Sequence, residues 1–159
     1  DLRSYEQPVM LWSADFRWEK ARRTAVEMVN EIDGINRCIL LFGKTAPKRI
    51  CPVHAEVTRT RLDLLRKADR FIFKTLQAHG LLEEIWQCPV VMVPLAVSDS
   101  EKELIVVRPV YSQRAMTAAP ARFSVEFMAE ISQQILQLPS VWGVALDVTA
   151  KPPGTIEWE

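Results

Sequence analysis

Glycine is scarce in this 159-residue chain, which holds five: Gly34, Gly43, Gly80, Gly143 and Gly154. No two lie close enough to form a loop whose backbone amides cradle a phosphate, which excludes nucleotide binding of that type. Histidine is scarcer still. His54 and His79 are the only two, and they give the three cysteines, Cys38, Cys51 and Cys88, no setting for an activated nucleophile. An odd cysteine count also argues against a disulfide framework. Cys51-Pro52-Val53-His54 has a spacing that could ligate a metal. Cys38 and Cys88, however, stand in apolar runs where a free cysteine behaves as a small hydrophobe, so a zinc centre is the weaker reading. Neither sign of charge is in excess, with 20 Lys plus Arg against 20 Asp plus Glu. No global field therefore draws the chain to nucleic acid or to a membrane. No apolar run reaches the roughly 20 residues of a membrane span, and no signal-peptide pattern is present, so the expected location is cytoplasmic.

What remains is enough for one ordinary domain, or for two small modules. Residues 5–13 alternate loosely and predict a strand despite Pro8. Asp15 is placed to cap a helix over 17–32 whose core face is Trp18, Ala21, Ala25, Met28, Val29 and Ile32. Asp33-Gly34 ends it, and 38–42 is apolar enough for a buried strand. Residues 43–58, with Pro47 and Pro52, predict an irregular connector. The longest helix follows over 61–79, with Leu62, Leu65, Ala68, Ile72 and Leu76 at helical spacing and Gly80 as its stop. Its basic residues Arg59, Arg61, Arg66, Lys67, Arg70 and Lys74 are interleaved with Asp63 and Asp69, the pattern of a solvated face rather than a nucleic-acid surface. Residues 86–97 and 104–112 predict a hairpin, with Pro89, Pro94 and Pro109 marking edges or bulges. Ser124 caps the last helix, Phe123 can staple onto Met128, and Pro139 stops it before a strand over 142–149.

The order strand, helix, strand occurs twice, over 3–42 and over 104–148. Related coils follow each closing strand, Gly43-Lys44-Thr45-Ala46-Pro47-Lys48-Arg49-Ile50 and Thr149-Ala150-Lys151-Pro152-Pro153-Gly154-Thr155-Ile156. This repeat predicts an α+β fold of two related modules, divided as 1–58 and 59–159, each a mostly antiparallel sheet with helices packed on one face.

The chain ends Lys151-Pro152-Pro153-Gly154-Thr155-Ile156-Glu157-Trp158-Glu159. Two prolines stiffen a terminus that would ordinarily fray, and they push Lys151 into an extended conformation. Beyond Gly154, Ile156 and Trp158 can alternate with Glu157, presenting two apolar anchors on one side and a carboxylate on the other. The tail is built either to dock for stability or to reach a ligand.

This ending, preceded by Val144-Ala145-Leu146-Asp147-Val148-Thr149, resembles the C-terminus of the GMP synthetase family, glutamine-hydrolysing enzymes that convert XMP to GMP. Further pieces follow in family order: Asp1-Leu2-Arg3-Ser4-Tyr5, Gly34-Ile35-Asn36-Arg37, Leu64-Leu65-Arg66-Lys67-Ala68-Asp69, Ile85-Trp86-Gln87 and Ala115-Met116-Thr117-Ala118. The resemblance covers nearly the whole chain and is to the long form, whose C-terminal region carries two related subdomains. A start on Asp within a family motif predicts a piece of a longer protein.

The resemblance implies an XMP site at Arg3, Gln87, Lys151, Ile156 and Glu157. A guanidinium and an ammonium suit a dianionic phosphate, an amide can donate or accept, and a carboxylate accepts from a ribose diol. Taken singly, Arg3 and Gln87 read as ordinary surface or strand residues. The family also places an arginine near the start of the last strand, where this chain has Gly143. Only the first repeat keeps an arginine in that slot, at Arg37. The segment Ser112-Gln113-Arg114-Ala115-Met116-Thr117 departs from the family's acidic-aromatic version as well. By the same resemblance, glutaminase and ATP-pyrophosphatase domains would supply the catalytic residues, ATP and Mg, and this region alone would be inactive. A homodimer is the expected assembly. The competing reading is a purely structural homo-oligomerisation module.

Overall fold

The computed structural model describes residues 6–43, 45–98 and 100–158. Arg3 lies outside them. Among the described residues the order is β1 (Gln7–Trp12), α1 (Trp18–Glu31), β2 (Ile35–Phe42), β3 (Ile50–Pro52), α2 (Arg59–Ala78), β4 (Val90–Val93), β5 (Leu95–Val97), β6 (Glu103–Val107), β7 (Val110–Tyr111), β8 (Ala119–Pro120), α3 (Val125–Ile135) and β9 (Val141–Asp147). The fold is α+β, as the repeat predicts.

One five-stranded sheet runs β1-β2-β9-β6-β4. Within each strand-helix-strand unit the two strands are parallel neighbours, β1 with β2 and β6 with β9. The units meet antiparallel through β2 and β9, and β4 closes the far edge antiparallel to β6. The registers repeat. Val9 lies opposite Cys38 and Leu11 opposite Leu40 in the first unit, as Ile105 lies opposite Val144 and Val107 opposite Leu146 in the second. Across the junction Leu40 faces Leu146. The repeat is therefore arranged about an approximate twofold axis through the middle of the sheet.

All three helices cover one face, where Trp18, Ala21 and Ala25 of α1, Leu64, Ala68 and Ile72 of α2, and Phe127, Met128 and Ile131 of α3 pack on Cys38, Leu40, Ile105, Val107, Val144 and Leu146. Each fully buried large apolar side chain of this set contributes roughly 1.5–3 kcal/mol. The expected helix faces shift a little: Ile32 and Leu62 are exposed, while Leu64 and Thr75 are buried. Thr58 caps α2, accepting from the Arg61 amide at 3.2 Å, and Ser124 caps α3, accepting from the Phe127 amide at 3.1 Å. Asp15 caps nothing. Its carboxylate accepts from Arg17 Nε at 2.9 Å, and Arg17 takes the cap position of α1 without a side-chain bond. Of the basic residues on α2, Arg66 pairs locally with Asp63 at 2.7 Å, and Arg61 reaches Glu103 at the start of β6 at 2.7 Å.

Among the described residues the opposite face has no helix. Ile39, Leu41, Leu104, Val106 and Ala145 form a smaller core there, flanked by Trp12, Trp142 and Trp158. The predicted hairpin over 86–112 is only partly realised. Its first strand breaks at Pro94, so that β5 leaves β6 and pairs with β3 instead. The connector over 43–58 accordingly carries one short strand. No helix among the described residues is long and apolar enough to cross a membrane.

Candidate functional site: a clasped C-terminal tail

The tail leaves β9 at Asp147, whose side chain is fully buried between two arginines. Arg37 Nη1 donates to Asp147 Oδ2 at 2.9 Å, and Arg108 Nη1 pairs with Asp147 Oδ1 at 2.8 Å. Both guanidinium groups continue into the tail. Arg108 donates through Nε to the Ile156 carbonyl at 3.0 Å and through Nη1 to the Thr149 carbonyl at 3.2 Å. Arg37 Nη2 donates to the Glu157 carbonyl at 2.7 Å and to Thr155 Oγ1. Trp158 adds its indole N–H to Asp147 Oδ2 at 2.7 Å, while its ring centroid lies 5.3 Å from the Arg37 guanidinium. Two cations share one carboxylate, and tail carbonyls take up Arg37 Nη2, Arg108 Nε and Arg108 Nη1, while Arg37 Nε and Arg108 Nη2 are buried without a hydrogen-bond partner among the described residues. Burial, with the Arg37 charge nearby, holds the Arg108 guanidinium below its ordinary range against the opposing pull of Asp147.

Thr149 locks the start of the tail. Its amide donates to Asp147 Oδ1 at 2.9 Å, and its hydroxyl accepts from the Cys38 amide at 2.8 Å. The peptide bonds Lys151–Pro152 and Pro152–Pro153 are both cis. Gly154 closes the turn, its amide donating to the Ala150 carbonyl at 3.1 Å. A Cβ at this position would stand 3.2 Å from Thr149 Cγ2 and 3.4 Å from Arg108 Nη2, so the close approach to Thr149 favours glycine.

From there the tail crosses a small ribbon of β7 and β8, in which Val110 faces Pro120 and Tyr111 faces Ala119. Lys151 forms a bridge with Ala118 on one side, and Gln87 forms one with Val110 on the other. Three inter-strand steps of about 5 Å each separate the two backbones. Lys151 Nζ donates to the Ala115 carbonyl at 2.7 Å. Ile156 is buried against Val110 and Ala118. Glu157 is exposed, and so is Gln87. The structure thus places Lys151 and Ile156 on a common ribbon with Gln87 at its far side, and it leaves the Glu157 carboxylate in solvent. Ile156 and Trp158 do anchor the tail, but in different cores: Trp158 packs on the helix-free face. A cavity of about 600 Å³, lined in part by Tyr111, Arg114, Met116 and Thr117, opens beside the ribbon.

Gly143, where the resemblance implies an arginine, is packed rather than open. A Cβ there would meet Leu104 Cδ1 at 3.1 Å and Leu41 Cδ1 at 3.3 Å. Arg108 and Asp147 were not singled out from the sequence. Their signal was a lone charge in each of two otherwise apolar runs, 104–110 and 141–148, and a charge in such a place needs a buried partner.

Among the described residues no group of three or more His, Cys, Asp or Glu could hold a metal ion. All three cysteines are free. Burial pushes the thiols of Cys38 and Cys88 up to about 12, with Asp147 and Asp69 respectively adding to the effect.

Comparison with known proteins adds the family. The profile of the GMP synthase C terminal domain matches residues 74–158. A probable glutamine-hydrolysing GMP synthase of Leptospira interrogans serovar copenhageni is 37% identical over 161 residues, covering 100% of this chain and 26% of that protein. Glutamine-hydrolysing GMP synthases of Leifsonia xyli and Streptomyces avermitilis are each 48% identical over 112 residues, covering 65% of this chain and 22% and 21% of theirs. The chain spans about a quarter of the length of these relatives.

Proposed function

This chain belongs to the GMP synthase C-terminal domain family, and from that premise we propose that it is the XMP-binding and assembly region of a glutamine-hydrolysing GMP synthase. The observation that carries the reading is the clasped tail. A buried ion-pair cluster holds the segment bearing Lys151 and Glu157 against the ribbon that also carries Gln87. An ammonium has three donors, and Lys151 uses one on the Ala115 carbonyl, leaving two for phosphate oxygens. Glu157 accepts from the ribose hydroxyls, Gln87 adds an amide from across the ribbon, and Ile156 fixes the tail beneath them. Arg3 is the second cation of this reading.

The role is to position the nucleotide, since fixing one reactant against another removes part of the entropic cost of their encounter. Amination of XMP to GMP, with ATP activating the nucleotide and glutamine supplying ammonia, belongs to the ATP-pyrophosphatase and glutaminase domains of the proposed whole enzyme. ATP and Mg are assigned there because the described residues of this chain offer neither a glycine-rich loop nor a carboxylate cluster for them. Alone, this chain is inactive. Subunit assembly as a homodimer in the cytoplasm completes the proposal.

The test is an isotope-edited NMR titration with XMP, with AMP and Lys151→Ala as controls. Saturable shifts confined to Gln87 and the tail, and lost in the variant, support the reading. No shifts at millimolar XMP favour a purely structural assembly module.

A further inference from the structure

The clasp draws its two arginines from different halves of the repeat. Arg108 follows β6 in the second unit, whereas Arg37 stands in β2 of the first. The alignment of the two units matches Leu40 with Leu146 and Arg37 with Gly143. Because β2 and β9 pair antiparallel about Leu40 and Leu146, the strand of each unit runs past the coil that follows the other unit's closing strand. Arg37 therefore faces the tail of the second unit. Gly143 lies one residue before Val144, the partner of Phe42, and so faces the coil that follows the first unit. That coil lacks the Gly-Thr-Ile-Glu-Trp sequence, and Leu41 and Leu104 fill the space instead.

We infer that Arg37 is a positioning residue for the nucleotide site, acting across the approximate twofold axis through the backbone of Glu157. The inference rests on the XMP reading of Glu157. Arg37 is 2% exposed, so as a positioning residue it stands behind the ligand-facing surface and not on the ligand. One end of its fork is fixed on Asp147 in the sheet. The other end holds Thr155 Oγ1 and the carbonyl of Glu157, the residue whose carboxylate faces solvent. Lysine would keep the charge beside Asp147 but, as a compact point charge, could not span the sheet and two tail acceptors in this geometry. A role confined to neutralising Asp147 predicts rescue by lysine, and a role in positioning predicts none.

The experiment compares Arg37→Lys with the parent chain by amide hydrogen exchange and by XMP titration. Expected is a retained fold with unchanged protection in β2, β6 and β9, at least tenfold faster exchange at Ile156, Glu157 and Trp158, and at least tenfold weaker XMP binding. Unchanged tail protection and XMP affinity would overturn the inference, as would a loss of protection spread evenly through the sheet. Should the parent chain bind no XMP while the variant's tail exchanges faster, the clasp stands and the XMP reading of the tail fails. If Arg37→Lys does not fold, Thr155→Val removes the side-chain acceptor and leaves the buried pair intact. Tail exchange accelerated threefold or more supports the clasp, and exchange as in the parent overturns it.

Discussion

Leu40 lies directly opposite Leu146 in the antiparallel junction of β2 and β9, and the two leucines occupy the same place in the two halves of the sequence repeat. A single chain thus pairs with itself about an approximate twofold axis. Residues on either side of that axis have exchanged surroundings, and the contrast between Arg37 and Gly143 follows from this.

Asp147 is the centre of the clasp, with Arg37 and Arg108 both pointing at it. Removing one partner of a buried ion pair leaves charge uncompensated at a cost of about 3–5 kcal/mol. Asp147→Ala is expected to lower stability by that amount, measured by urea unfolding, and to release the tail for digestion by carboxypeptidase.

Lys151 is half-buried, and its ammonium makes one bond to a carbonyl. Lys151→Ala is expected to cost no more than about 1 kcal/mol of stability while weakening XMP binding tenfold or more. Equal XMP affinity in the two chains would remove Lys151 from the site.

Restoring the family's arginine at position 143 should harm the protein. The Cβ alone meets Leu104 and Leu41 at 3.1 and 3.3 Å, and overpacking of a core typically costs about 1–3 kcal/mol. Gly143→Arg is expected to melt lower without binding XMP more tightly. Tighter binding would mean that a second arginine can reach the pocket from β9.

Cys38 and Cys88 give stability a pH dependence on the alkaline side. Their thiols are raised from 9.0 to about 12 in the folded chain, so above pH 9 the unfolded chain releases protons that the folded one keeps. Their contribution is fully present below pH 9 and is lost as pH rises toward 12. Each thiol is expected to add about 1.4 kcal/mol per pH unit to the decline. Urea unfolding at pH 8 and pH 10, with Cys38→Ala and Cys88→Ala reducing the slope, tests this.

Helices α1, α2 and α3 were legible because a core face repeats every third or fourth residue over 11 to 20 positions. Of the caps, Ser124 of α3 was legible from its place before an apolar run and Thr58 of α2 was not, whereas Asp15, expected to cap α1, found a nearer partner in Arg17. Strands β3, β5, β7 and β8, of two or three residues, are too short to carry a period. Their existence depends on which distant segment lies beside them, and Pro94 turns β5 toward β3 for that reason.

The sequence by itself determined the family, the two-unit repeat and the residues of the tail, because motifs and periodicities are local and survive without coordinates. Only the tertiary structure decided that the two units share one sheet, that Arg37 and Arg108 converge on Asp147, and that Gly143 is a packed position. Those facts depend on the antiparallel register of β2 and β9, which brings together residues as far apart as Arg37 and Glu157. A buried charge shows in a sequence as an anomaly, and its partner is found only where the chain folds back to meet it.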